Sequence, residues 1–334
     1  MQNIYNKEDI NNLKTHVQKY YATNWRKPIM DFTTTMFYIS AVIFCIYKLN
    51  YYSSCLIFLL GLLLIRVFMI FHDLNHNSYF PKNNFNINMV SAKCIDVLSM
   101  YSALKWKTIH SIHHVKHGNL NLNDDTRTVI ISSEYDKLSN KQKQFYDTFR
   151  NPIIFFTIGP LYIFWINKVQ QFEFFYITKY LTVLYLLFCI TNTRVVVSAL
   201  CAQYIGAMIG TIMFHLQHQV NVGYWKPIDS NDYLSKMNAE LQGSSVLQIP
   251  TILKYFTYGI EYHNIHHFDS RVPSYNLKQC YDDAIALNYL KNADGNDFII
   301  GYMQMFKSLF HVIYNEKSQR YESSSFFKAL KLEA

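Results

Sequence analysis

The sequence is short of charge. Asp, Glu, Lys and Arg make up only 16% of its 334 residues, against roughly 25% in an average soluble domain. Glycine and proline are scarce too, with ten and seven residues, which argues against a β protein punctuated by turns and for a helical membrane protein. Six cysteines, Cys45, Cys55, Cys94, Cys189, Cys201 and Cys280, form no CxxC pair. Most lie in apolar runs, where cysteine acts as a small hydrophobe, and they read as reduced thiols of an intracellular active domain. No run of Lys or Arg interleaved with aromatics marks a nucleic-acid face. No HExxH zinc-protease motif is present, because Asp73 follows His72 where that motif needs Glu. The paired-Glu and ExxH pattern of soluble di-iron bundles is also missing. So are a GxGxxG loop and a haem-binding segment, so no fused reductase is visible.

Apolar residues are plentiful. Half the chain is hydrophobic and 17% is aromatic, while a mean hydropathy near zero requires a sizeable water-facing part. Five apolar stretches stand out: Ile29–Tyr47, Ser54–Phe71, Pro152–Ile166, Phe172–Ile190 and Val195–Leu216. The first two are joined by Lys48–Ser53 as a helical hairpin. Each is long enough to cross a hydrocarbon core of about 30 Å. Pro152–Ile166 is short, contains Pro160 and is flanked by Arg150 and Lys168, so an in-plane or re-entrant segment is expected there. Parity supports this: four crossings return the chain to its starting side, and five would not. Arg66, near the end of the second stretch, is expected to snorkel toward the interface. Lys105–Arg150 carries eight Lys or Arg against five Asp or Glu, and by the positive-inside rule it is cytosolic. No cleavable signal is apparent in the polar first 28 residues. The fold class is therefore all-α integral membrane, with about four transmembrane helices, an in-plane segment and a cytosolic helical cap. Both termini would be cytosolic. The expected divisions are residues 1–28, a membrane domain over 29–285 and a C-terminal tail over 286–334.

The distribution of the thirteen histidines carries the chemistry. His16 and His311 are isolated, and the other eleven fall in four clusters. These are His72 and His76; His110, His113 and His114, followed by His117; His215 and His218; and His263, His266 and His267. On a helix, residues three and four apart share one face, with Cβ atoms about 5–6 Å apart. Each cluster can therefore aim its imidazoles at one point. Two clusters sit at the ends of spans, which would set them side by side. At least eight converging imidazoles are too many for one ion, and two ions fit the count. Imidazole suits zinc, copper, iron and nickel.

In these motifs the chain resembles the membrane fatty acid desaturases of the acyl-lipid type, as in bacteria and plastids. Those carry HxxxH, HxxHH and HxxHH boxes in this order. Arg66–Asp73, Phe214–His218 with Tyr224-Trp225, Glu240–Ser245, and Tyr262–His267 leading to Arg271–Leu277 extend the likeness. It covers roughly residues 29–285. The resemblance implies two non-haem irons held by His72, His76, His110, His113, His114, His218, His263, His266 and His267. Leu74 and Asn75 replace the usual Cys-Gly of the first box, and neither is a ligand position. His215 and His117 are extra to the pattern and are candidate further ligands. Asp73, Asp124 and Asp125 are candidate acceptors for imidazole N–H groups.

The implied reaction is oxygen-dependent removal of two hydrogens from a fatty acyl chain, leaving a cis double bond. Its partners would be an acyl lipid in the bilayer, O2 and an external electron donor of the ferredoxin or cytochrome b5 type. A basic cytosolic face would dock an acidic carrier. The same histidine pattern serves lipid and carotenoid hydroxylases and ketolases. A membrane metal transporter would instead want ionisable residues along a mid-membrane path.

Overall fold

The computed structural model describes residues 3–49, 53–82, 86–122, 129–171, 173–219, 224–290 and 299–329. The fold is all-α with membrane-length helices, as the composition requires. Four helices are long and apolar enough to cross a bilayer: Arg26–Lys48, Ser54–Asn75, Pro152–Gln170 and Thr193–Gln217. The number matches the expectation, but one member differs. Pro152–Gln170 takes the place of Phe172–Ile190, whose helix runs only Phe174–Ile190 and spans 17 residues, about 26 Å at 1.5 Å per residue. Pro160 does not end its helix because a π-helical turn follows it at Tyr162–Ile166. Proline breaks the i→i−4 ladder, and the wider i→i+5 turn re-registers it.

Helix α1 (Lys7–Val17) is held by a capping box between Asn6 and Asp9 and buries Ile10, Leu13 and Val17. It packs on the Tyr233–Gln242 and Ser274–Ala286 helices. Tyr5 and Asn238 exchange backbone–side-chain hydrogen bonds of 3.0 Å. His16 Nε2–H donates to the Cys280 carbonyl at 3.1 Å. The polar N-terminus is thus part of the cap rather than a solvated lead-in.

Helix α2 (Arg26–Lys48) carries Pro28 in its first turn, where the missing N–H costs nothing. Helix α3 (Ser53–Asn75) is apolar on nearly every face, the pattern of a helix enclosed by others. It lies between α2 and the Thr193–Gln217 helix. Of its most apolar stretch 61% is buried, against 22% for α2, so α3 is the central helix.

Arg66 does not snorkel. It is 5% exposed. Its Nε donates to Thr35 Oγ1 at 3.0 Å and its Nη1 to the Tyr255 carbonyl at 2.6 Å. The guanidinium faces the rings of Tyr255 and Tyr258 at 4.2 and 4.1 Å, and Asp31 lies 3.4 Å away. These partners turn an interfacial anchor into a pin between α2, α3 and the short Lys254–Thr257 helix before the last histidine cluster.

Helix α4 (Ile87–Ile95) and helix α5 (Ala103–Lys116) follow α3 into the cap. Two small sheets close its edges. Ile130–Ile131 pairs in parallel with Ile313–Asn315, which pairs antiparallel with Arg320–Glu322. Val246–Leu247 pairs in parallel with Ile299–Ile300. The C-terminal segment thereby returns to the cap.

Candidate metal centre

Four pieces of chain bring the histidines together. The last turn of α3 presents His72 and ends just before His76. Helix α5 carries His110, His113 and His114 on successive turns, and His117 caps its C-terminus. The Thr193–Gln217 helix, started by Asn192 accepting from the Val195 N–H at 3.1 Å, delivers His218 at its end. The short His263–Phe268 helix carries the last three. It is aimed by a turn in which Tyr258 and Gly259 take φ of 59° and 96°. A Cβ on Gly259 would lie 2.2 Å from the Ser274 carbonyl oxygen, so only glycine lets the chain pass there.

The rings form two adjoining nests. In the first, His110 Nε2 lies 3.1 Å from both His72 Nε2 and His114 Nε2, and His266 Nε2 lies 3.1 Å from His114 Nε2. His76 stands beside them, its ring 4.7 Å from His72 and 4.9 Å from His266. In the second, His218 Nε2 lies 3.2 Å from both His113 Nε2 and His263 Nε2. His267 and His117 complete that ring of imidazoles, 4.8 Å each from His218. His114 stacks on His267 at 4.4 Å where the nests meet. All nine histidines named from the resemblance thus come together.

The two extra candidates part company. His117 joins the second nest. His215 belongs to neither, and its Nε2–H donates to the Ser308 carbonyl at 3.1 Å, between the last span and the C-terminal segment. Asp73 sits where an imidazole acceptor should. Its Oδ1 accepts from His72 Nδ1–H at 2.9 Å and from Ser274 Oγ at 2.8 Å, and its Oδ2 accepts from the Ser274 N–H at 2.6 Å. Asp124 and Asp125 lie outside the described residues.

Two neighbours escaped the sequence reading. Glu240 Oε2 accepts from His267 Nδ1–H at 2.9 Å. It lies in the Glu240–Ser245 motif, and that was the one available signal. Trp106 stacks on His110 at 4.2 Å, one turn before it on α5, a spacing that could have revealed it. Both carboxylates fix the tautomer of their histidine, leaving Nε2 to face its nest.

Burial first, and then the neighbouring imidazoles, holds His76, His110, His114, His218, His263, His266 and His267 well below the usual histidine pKa. These rings are neutral at pH 7, the form that binds metal. Burial pushes the Glu240 carboxyl up. The Nε2 atoms of His76 and His267 are buried with no hydrogen-bond partner among the described residues. Converging lone pairs with too few donors are what a cation would satisfy. At a metal–nitrogen bond of about 2.1 Å, nitrogens 3.1–3.2 Å apart subtend about 95–99°. That is nearer the roughly 90° edge of an octahedron than the roughly 109° of a tetrahedral zinc site. The donor set is compatible with metal binding.

A multi-span helical protein with a histidine-walled, metal-compatible centre is the class this architecture defines. Comparison with known proteins narrows it. Residues 50–292 match the profile of the family described as fatty acid desaturase. A fatty acid desaturase of Bacillus subtilis (strain 168) is 30% identical over 231 residues, covering 66% of this chain and 64% of that relative. The chain therefore spans less than two thirds of that relative's length. It belongs to the fatty acid desaturase family.

Proposed function

We propose that this chain introduces a cis double bond into lipid-linked fatty acyl chains, using O2 at two irons. One iron would be held by His72, His76, His110, His114 and His266, and the other by His113, His218, His263 and His267. The observation that carries this reading is the convergence of these rings in overlapping groups, with His114 tied to the first nest by Nε2 distances of 3.1 Å to His110 and His266 and stacked on His267 of the second. Two irons would supply the oxidising power that abstraction from an unactivated methylene needs and that no side chain has.

The remaining work falls to the chain itself. Asp73 and Glu240 hold His72 and His267 in the tautomer and orientation that present Nε2. The Asp73 charge would offset part of that on an all-imidazole site. Trp106 and Phe214, stacked on His110 and against His218, keep water from the ring faces. The apolar helices would receive the acyl chain within the bilayer. The centre, both termini and the cap would face the cytosol. Packing of α1 on two cap helices supports a shared side for the N-terminus and the centre. Electrons would come from an acidic carrier of the ferredoxin or cytochrome b5 type, drawn by a formal charge of +8. The catalytic unit would span residues 29–285.

Fatty acid profiling of cells expressing the chain tests this. A new double bond is expected, and His266→Ala should abolish it while the protein stays in the membrane. A new hydroxyl group in its place would assign the chain to the sister reaction. Product that persists in the alanine variant would overturn the ligand assignment.

A further inference from the structure

The nine histidines divide unequally, five in the first nest and four in the second. We infer that His117 is the tenth metal ligand and closes the second nest. The inference rests on the di-iron reading and deepens it.

His117 lies one helical turn beyond His113, and its backbone N–H donates to the His113 carbonyl at 2.9 Å. The end of α5 therefore fixes where its ring emerges. The side chain is buried. A nitrogen of His117 lies within 4.8 Å of the ligand nitrogens of His113 and His218. Its ring is 4.8 Å from that of His218 and 4.5 Å from that of His267. The position is also cleared for it, since a Cβ on Gly243 would stand 2.5 Å from His117 Nε2. Gly243 has an ordinary helical φ of −86°, but the same Cβ would also stand 2.7 Å from the Ala239 carbonyl oxygen, so both the imidazole and the preceding helical turn favour glycine here. Gly243 ends the helix that carries Glu240, so one element makes room for His117 and orients His267. With His117 counted, each nest offers five imidazoles.

The test reads iron rather than turnover. Purified, folded full-length protein is compared with His117→Gln, Gly243→Ala and the control His215→Ala. Iron per folded chain, the rate of stripping by a ferrous chelator and the Mössbauer spectrum are measured. Wild type should hold about two irons. His117→Gln should fall toward about one, strip at least about tenfold faster and shift the signal of one iron only. Gly243→Ala keeps every histidine and should reproduce the faster stripping by displacing the ring. His215→Ala should match wild type. Two irons, wild-type stripping and unshifted spectra in His117→Gln would overturn the inference while leaving the di-iron reading intact. If that variant does not fold, wild-type stripping in Gly243→Ala overturns it equally. Folded wild type without iron would overturn both.

Discussion

Asp73→Asn is nearly isosteric and separates charge from shape at the first nest. Asp73 is 1% exposed and accepts three hydrogen bonds, one from His72 and two from Ser274, at 2.6–2.9 Å. Asparagine has one oxygen to offer. Its amide NH2 must then face either the Ser274 N–H, at the Oδ2 site, or both His72 Nδ1–H and Ser274 Oγ, at the Oδ1 site. At least one charge-assisted bond is lost, worth about 1.5–3 kcal/mol, and a buried donor is left facing another donor. If the His72 side yields, the ring turns or changes tautomer and Nε2 leaves the nest. Removing a ligand's orienting partner typically costs 10–100-fold in metal affinity, or about 1.4–2.7 kcal/mol, so the two estimates agree. The assay is iron per folded chain against chelator concentration, with thermal melting in detergent alongside. Ser274→Ala, which removes one of the three donors but leaves the His72–Asp73 bond in place, should cost about 1.5–3 kcal/mol of stability and leave iron affinity near wild type. Asp73→Asn with wild-type iron affinity would refute the orienting role.

Other perturbations follow from the same geometry. Arg66→Met should destabilise the protein by about 1–3 kcal/mol, because it leaves the Tyr255 carbonyl without its donor, while Asp31 keeps the Tyr258 hydroxyl at 2.8 Å and Lys27 at 3.5 Å. Arg66→Lys should rescue it poorly, since an ammonium cannot span both partners and stack between two rings. An unchanged melting curve for either variant would contradict the pin. Gly259→Ala drives a Cβ into the Ser274 carbonyl oxygen and should lose iron and folded yield together. Retention of both would show that the turn relaxes freely. For metal-free protein the pH effect has a definite sign. Histidines held below 6.5 bind fewer protons folded than unfolded. Stability should therefore be fully present above about pH 6.5 and fall as the pH drops below it. A flat melting temperature from about pH 7.5 to 5.5 would contradict that.

Much of this was legible from residue order, because membrane helices announce themselves by length. The Ile29–Tyr47 run became Arg26–Lys48, and Val195–Leu216 became Thr193–Gln217. The second run was expected to stop at Phe71, yet its helix continues to Asn75. Polar His72 and Asp73 end the apolar pattern without ending the hydrogen-bond ladder. Histidine spacing foretold the convergence, since i, i+3 and i, i+4 positions share a face whatever the tertiary fold. What stayed hidden depends on distant partners. The burial of Arg66 needs Tyr255, 189 residues away. Glu240 meets His267 across 27 residues. Strands of two or three residues have no period to detect, and the π turn after Pro160 leaves no mark in a hydropathy profile.

Iron analysis of purified wild type beside His110→Ala tests the central claim most directly. His110 Nε2 touches two neighbours in the first nest, so its loss should empty that nest and spare the other. The account predicts about two irons per folded wild-type chain and about one in the variant. A folded wild-type protein that binds no iron, or a variant that keeps both ions, would contradict it.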